Sequence, residues 1–178
     1  MRVPVADLVG NPGDTRDLTR AVPPSSFGEE PWGPTITAIH GDVDLELHLD
    51  AVVEGILVRG RLGLEVELAC ARCLTPKHES LAVHVAELFV DPTKRSEDDD
   101  EDEPGYELID GLTAIDLSTM ARDAVVLGLP VRVLCRADCQ GLCPRCGTDR
   151  NQTDCGHRPG DEPDPRWAKL AELDLPAD

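Results

Sequence analysis

Aromatic side chains are nearly missing from this chain: two Trp, one Tyr and two Phe in 178 residues. A core of that composition must be built mainly from Leu, Val, Ala and Ile. Positive charge is scarce too. Seventeen Lys and Arg stand against 35 Asp and Glu, a formal charge of -18, which argues against broad electrostatic attraction to nucleic acid. No apolar run is long enough to span a bilayer, and no charged segment followed by an apolar one opens the chain. The sequence therefore predicts a cytoplasmic protein with no membrane partner. Neither a phosphate-binding Gly loop nor a G-x-S-x-G elbow occurs, and His40, His48, His78 and His84 are scattered, so an enzyme is not expected. Internal repeats are not evident.

What the chain does have is cysteine, seven in all. Six potential metal ligands fall between Leu134 and Pro159: Cys135, Cys139, Cys143, Cys146, Cys155 and His157. Cys143-Pro-Arg-Cys146-Gly147 has the form of a zinc knuckle. Thiolates at i and i+3 of a tight turn can reach one ion, and the glycine lets the backbone fold back toward them. Disulfides are disfavoured by the absence of a secretion signal and by the odd count. An iron–sulfur cluster wants four thiolates, and the nearby histidine favours zinc. Spacing leaves open which four residues bind. The expected set is Cys139, Cys143, Cys146 and Cys155, with Cys135 and His157 as substitutes for the outer members. No water-activating Glu accompanies them, so the zinc would be structural, a staple for a segment poor in apolar residues.

Cys70-Ala-Arg-Cys73 is a second CxxC. Strand alternation carries Cys70 onto the face of Leu68, which favours a buried structural thiol. Two other readings stay open: a zinc shared with Cys143 and Cys146, and a redox dithiol without the strand-then-helix setting such pairs have.

Charge is unevenly spread. Residues 97–103 are seven consecutive acids, expected to form a solvated, disordered loop or an interaction segment for a basic protein. Around the knuckle, Arg132, Arg136, Arg145, Arg150 and Arg158 outnumber Asp138, Asp149 and Asp154. Arg59, Arg61, Arg72 and Lys77 give a second local excess over Glu65 and Glu67. Two such patches on one face could meet phosphate.

Period-two alternation marks a strand over Val43–Leu49, and further strands are expected at Val52–Arg59, Leu62–Leu68 and Leu81–Val90. Short links favour an antiparallel meander. Before these, the first 35 residues show only scattered apolar positions. Tyr106–Ile109 adds a short strand. Asp116 caps a helix running to Gly128, and Asp164-Pro165 opens a terminal one with Trp167 and Leu170 on its apolar face. The fold class is α+β: a mostly antiparallel sheet, a covering helix, a C-terminal zinc-binding segment and a short terminal helix.

Taken in order, several of these pieces resemble the YceD family, the large ribosomal RNA subunit accumulation proteins, in its zinc-bearing bacterial form. They are Asp7-Leu8 with Pro12-Gly13, and Cys70-Ala-Arg-Cys73-Leu-Thr-Pro76. Then come Gly128-Leu-Pro-Val-Arg-Val-Leu-Cys135, Asp138-Cys139-Gln-Gly-Leu-Cys143-Pro-Arg-Cys146-Gly147, and Asp164-Pro-Arg-Trp-Ala-Lys-Leu170. One departure is Cys155-Gly-His157, where such members often carry Cys-x-Cys; His can replace Cys on zinc. The resemblance implies one domain over residues 1–178. Within it 1–92 is mainly β, 93–105 an acidic disordered loop, 106–130 strand and helix, and 131–178 the zinc segment and terminal helix.

The resemblance further implies a non-catalytic factor for accumulation or processing of large-subunit (23S) ribosomal RNA and for ribosome assembly. Its partners would be that RNA or its precursor, with Arg72, Arg136 and Arg145 as candidate phosphate contacts beside the cysteines. The competing expectation is an acidic adaptor or escort for a basic ribosomal protein.

Overall fold

A computed structural model describes residues 1–33, 35–94, 105–158 and Arg166. The acidic run at 97–103 and the helix expected from Asp164 lie outside the described residues. The described strands are β1 (Arg2–Pro4), β2 (Thr15–Val22), β3 (Ile36–Ala51), β4 (Gly55–Ala69), β5 (Pro76–Val90), β6 (Tyr106–Glu107) and β7 (Ala114–Asp116), followed by the helix α1 (Leu117–Gly128). One sheet has the order β2-β3-β4-β5-β6, antiparallel throughout except for the last pair; β1 and β7 form a second, two-stranded sheet. The architecture is α+β, as the alternating pattern and the capped helix predict.

The inward face follows from that alternation. Val43, Leu45, Leu47, Leu49 and Ala51 of β3 are buried, and the polar residues between them turn outward. The two strands expected at 52–59 and 62–68 are one strand. Ile56, Val58, Gly60, Leu62, Leu64, Val66 and Leu68 keep a single phase through Gly60, which pairs with Leu47. In the sequence Gly60 reads as a break. In the fold it sits at φ +146°, where a Cβ would come within 2.1 Å of the Glu46 carbonyl oxygen, so only glycine fits there.

Two further elements differ from the sequence reading. β2 lies in the segment that shows only scattered apolar residues; as an edge strand it buries just Leu18, leaving no alternation to detect. The strand expected from Leu81 begins at Pro76, because its first residues pair fully with β4 while Pro76, Lys77 and His78 remain polar or exposed.

Asp116 caps α1 as expected, its carboxylate accepting from the Ser118 N–H at 2.9 Å. Leu117, Met120, Ala121 and Val125 join the sheet's core. The helix ends against β5, where a Cβ on Gly128 would lie 2.4 Å from Val83 Cγ1. Of the few aromatics, Phe27 and Trp32 meet edge to face, and Phe89 stacks on Tyr106, pinning β6 to β5. No helix among the described residues is long and apolar enough to cross a membrane.

Candidate metal centres

The turn between β4 and β5 is the first CxxC. Ala69 pairs with Pro76, and Cys70 to Thr75 make the connection. The Leu74 N–H donates to the Cys70 carbonyl (2.9 Å) and the Cys70 N–H to the Thr75 carbonyl (3.0 Å). Further along the chain the same turn recurs. Leu142 pairs with Asp149, Gly147 N–H donates to the Cys143 carbonyl (2.8 Å), and Cys143 N–H donates to the Thr148 carbonyl (2.8 Å). Cys73 Sγ lies 3.2 Å from Thr75 Oγ1, and Cys146 Sγ lies 3.3 Å from Thr148 Oγ1. Both turns read C-x-R-C-x-T. This short repeat is present in the sequence and marks the two turns as equivalent.

The residue after each second cysteine occupies the left-handed region: Gly147 at φ +73° and Leu74 at φ +62°. Glycine suits that position; leucine accepts strain to keep the turn.

Each turn brings its pair of thiols to a different partner pair. Cys70, Cys73, Cys135 and Cys139 form one group, and Cys143, Cys146, Cys155 and His157 another, with the ligating atoms of each group all within 4.8 Å of one another. The fold thus divides the set expected from spacing: Cys139 stands with Cys70, Cys73 and Cys135, while His157 joins Cys143, Cys146 and Cys155. Proximity in the chain is the misleading guide. Cys139 and Cys143 belong to different groups although only four positions apart, while Cys70, 69 residues earlier than Cys139, lies against it. A site shared between the two CxxC pairs is not what forms. Cys70 is fully buried beside Leu68, in the position that strand alternation gives it.

The separations suit a tetrahedral ion. Cys70 Sγ to Cys139 Sγ is 3.9 Å and Cys73 Sγ to Cys135 Sγ is 3.6 Å. Four thiolates at a zinc–sulfur distance of about 2.3 Å stand roughly 3.8 Å apart along each edge of the tetrahedron. A disulfide would need about 2.05 Å. In the second group Cys143 Sγ lies 3.8 Å from His157 Nδ1. Four thiolates, as in the first group, and three thiolates with one imidazole, as in the second, are both donor sets of closed, structural zinc sites.

The thiols are tuned against one another. Burial pushes the Cys70 thiol up, but the backbone N–H groups of Arg72, Cys135 and Cys73 outweigh it and bring the thiol down to about 6. The hydroxyl and N–H of Thr148 do the same for Cys146, also to about 6. Cys135 moves the other way, to about 12, through burial and then the neighbouring thiols. Four thiols this close resist joint ionisation unless a dication replaces their protons.

A web of hydrogen bonds holds the two groups together. Arg72 Nη1 donates to the Cys139 carbonyl (2.6 Å), and Leu142 N–H donates to the Arg72 carbonyl (3.0 Å). Gly141 packs so closely that a Cβ would lie 2.9 Å from that same carbonyl oxygen. Asn151 reaches across: its Nδ2 lies 3.5 Å from Cys139 Sγ, and its Oδ1 accepts from Gln140 N–H (2.8 Å) and Arg136 Nη2 (2.9 Å). The buried thiols of the first group and their packed neighbours Leu134 and Leu142 form a small cluster apart from the main core.

Arg59 and Arg61 are paired with Asp50 and Glu46, at 2.7 and 2.8 Å, so that patch is largely neutralised. Arg72, Arg136 and Arg145 are exposed around the two ligand groups, with Arg72 and Arg145 at the same place in the two turns. Arg136 also approaches Asp138 at 3.3 Å.

One CxxC turn thus lies within a β-meander, and a second like it lies in the C-terminal segment packed against it. The family described as "Large ribosomal RNA subunit accumulation protein YceD" matches residues 58–174, a stretch that begins in β4 and takes in both knuckles. The chain belongs to the YceD family. Uncharacterized proteins of Mycobacterium bovis and Mycobacterium tuberculosis are each 37% identical over 174 residues, covering 97% of this chain and 81% of the relative. An uncharacterized protein of Mycobacterium leprae is 37% identical over 134 residues, 75% of this chain and 60% of that protein. No solved structure gives a significant match.

Proposed function

We propose that the chain is a non-catalytic cytoplasmic factor for large-subunit (23S) ribosomal RNA accumulation and ribosome assembly, with two structural zinc sites. Cys70, Cys73, Cys135 and Cys139 hold one ion; Cys143, Cys146, Cys155 and His157 hold the other. The paired C-x-R-C-x-T turns carry this reading. They support each group with the same N–H and hydroxyl contacts, and they leave each set of four ligands with no place set aside for substrate. The family description supplies the link to ribosomal RNA.

In this reading the zinc ions fix residues 131–158 against the sheet, and Arg72, Arg136 and Arg145 contact RNA phosphate from that rigid base. A chain of charge -18 needs such a focused contact, since its overall field repels nucleic acid. The same charge favours a second reading, escort of a basic ribosomal protein, which the pairing of Arg59 and Arg61 with carboxylates also suits.

Crosslinking the protein to cellular RNA and sequencing the bound fragments separates the two. The RNA reading expects enrichment at a defined large-subunit segment, lost when Arg72, Arg136 and Arg145 are all changed to Gln while the metal is retained. Absence of enrichment from folded, metal-loaded protein favours the escort.

A further inference from the structure

The polar face of the main sheet carries a third group of donors, distinct from the two cysteine groups and drawn from three neighbouring strands. His40 lies on β3, Glu67 on β4 and His78 on β5. In the register Glu67 stands opposite His78, and it is flanked on the other side by Ala38, two residues from His40. Both imidazoles therefore reach the same carboxylate. His40 Nε2 and His78 Nε2 are each 3.9 Å from Glu67 Oε2, and their rings lie with centroids 5.0 Å apart. The ligating atoms of all three residues fall within 4.8 Å of one another.

We propose that His40, Glu67 and His78 form an exchangeable site for a divalent transition cation of the zinc class. Two imidazoles and one carboxylate are a donor set that suits zinc, copper or nickel. The 3.9 Å gaps are too long for direct hydrogen bonds. An ion about 2.1 Å from each donor would bring neighbouring donors to roughly 3.4 Å, a closure within reach of small rotations by exposed side chains.

The carboxylate is already oriented for the task. Thr37 Oγ1 lies 2.8 Å from Glu67 Oε1 and 3.0 Å from the Glu67 carbonyl; donating its one proton to Oε1 holds that oxygen and turns the other toward the histidines. Such support from a neighbouring hydroxyl is how metal-binding carboxylates are commonly fixed. The group differs from the cysteine centres in two respects. It is open to solvent, and three donors leave a coordination position for water or an incoming ligand. Its cation would load and leave without unfolding the sheet, whose inward face does not depend on these residues.

The test uses the full chain with its cysteine-bound metal in place, titrated calorimetrically with zinc chloride. Wild-type protein should bind one additional ion. His40→Ala and His78→Ala should each abolish that binding, Thr37→Val should weaken it about tenfold, and His84→Ala, at another exposed histidine of β5, should leave it intact. Binding unaltered in His40→Ala and His78→Ala, or no additional ion in the wild type, would overturn the assignment.

Discussion

Cys70 and Cys139 are 69 residues apart in the chain, and their sulfurs stand 3.9 Å apart in the fold, both buried. That contact joins the end of a sheet strand to the C-terminal segment, and metal bound there would contribute on the order of 10 kcal/mol to ordering the segment. Cys70→Ser should loosen residues 131–142 from the sheet, whose core takes only Val133 from that stretch, while the sheet stays folded. Limited proteolysis with intact-mass readout should find cuts after Arg132 or Arg136 in the variant and none in the wild type, with Arg145 still protected by the second group.

Leu74 holds a left-handed conformation and is 64% exposed, so its side chain adds little packing. Its counterpart in the other turn is Gly147. Leu74→Gly should therefore stabilise the protein by roughly 0.5–1 kcal/mol, the relief of backbone strain less the added entropy of the unfolded chain. Gly147→Leu should cost a similar amount. Chemical denaturation of the metal-loaded protein measures both.

Asn151 touches Cys139 Sγ and also ties down Gln140 and Arg136. Removing its amide should free the Cys139 sulfur without removing a ligand. Asn151→Ala is expected to speed loss of one metal ion to a chromogenic chelator, with affinity falling about 10–100-fold. The second ion, held by Cys143, Cys146, Cys155 and His157, should leave at the wild-type rate.

The Asp116 carboxylate accepts from Ser118 N–H and from the Met1 amine, both at 2.9 Å. Burial pushes its pKa up, but the Ser118 hydroxyl, the Met1 amine and the Ser118 N–H prevail and hold it at about 2, below its ordinary value of 3.8. Its contribution is therefore fully present above about pH 4 and is lost as pH falls through 2. Asp116→Ala should cost about 1 kcal/mol at neutral pH through the lost helix cap. The gap between variant and wild type in denaturant melts should narrow near pH 2.

The inward strand face and the capped helix were legible because burial imposes a period on the sequence. Leu45, Leu47 and Leu49 alternate as they must, and Asp116 precedes the helix it caps. β2 was not legible, since an edge strand that buries only Leu18 leaves no period. Among the candidate ligands, the sequence displayed every donor but not their partition. Which thiols come together depends on where the β4–β5 turn lies relative to residues 135–139, a tertiary fact. The repeated C-x-R-C-x-T was available as a hint that Cys70 and Cys73 are equivalent to Cys143 and Cys146. His40, Glu67 and His78 could be grouped only once the register of three strands was known.

The metal content of desalted protein, read by native mass spectrometry, bears most directly on the two-centre assignment. Wild type should carry two zinc ions per chain, with Cys73→Ser and Cys146→Ser each retaining one and the double variant none. A single ion per chain, lost on changing Cys146 and unaffected by changing Cys73, would contradict it.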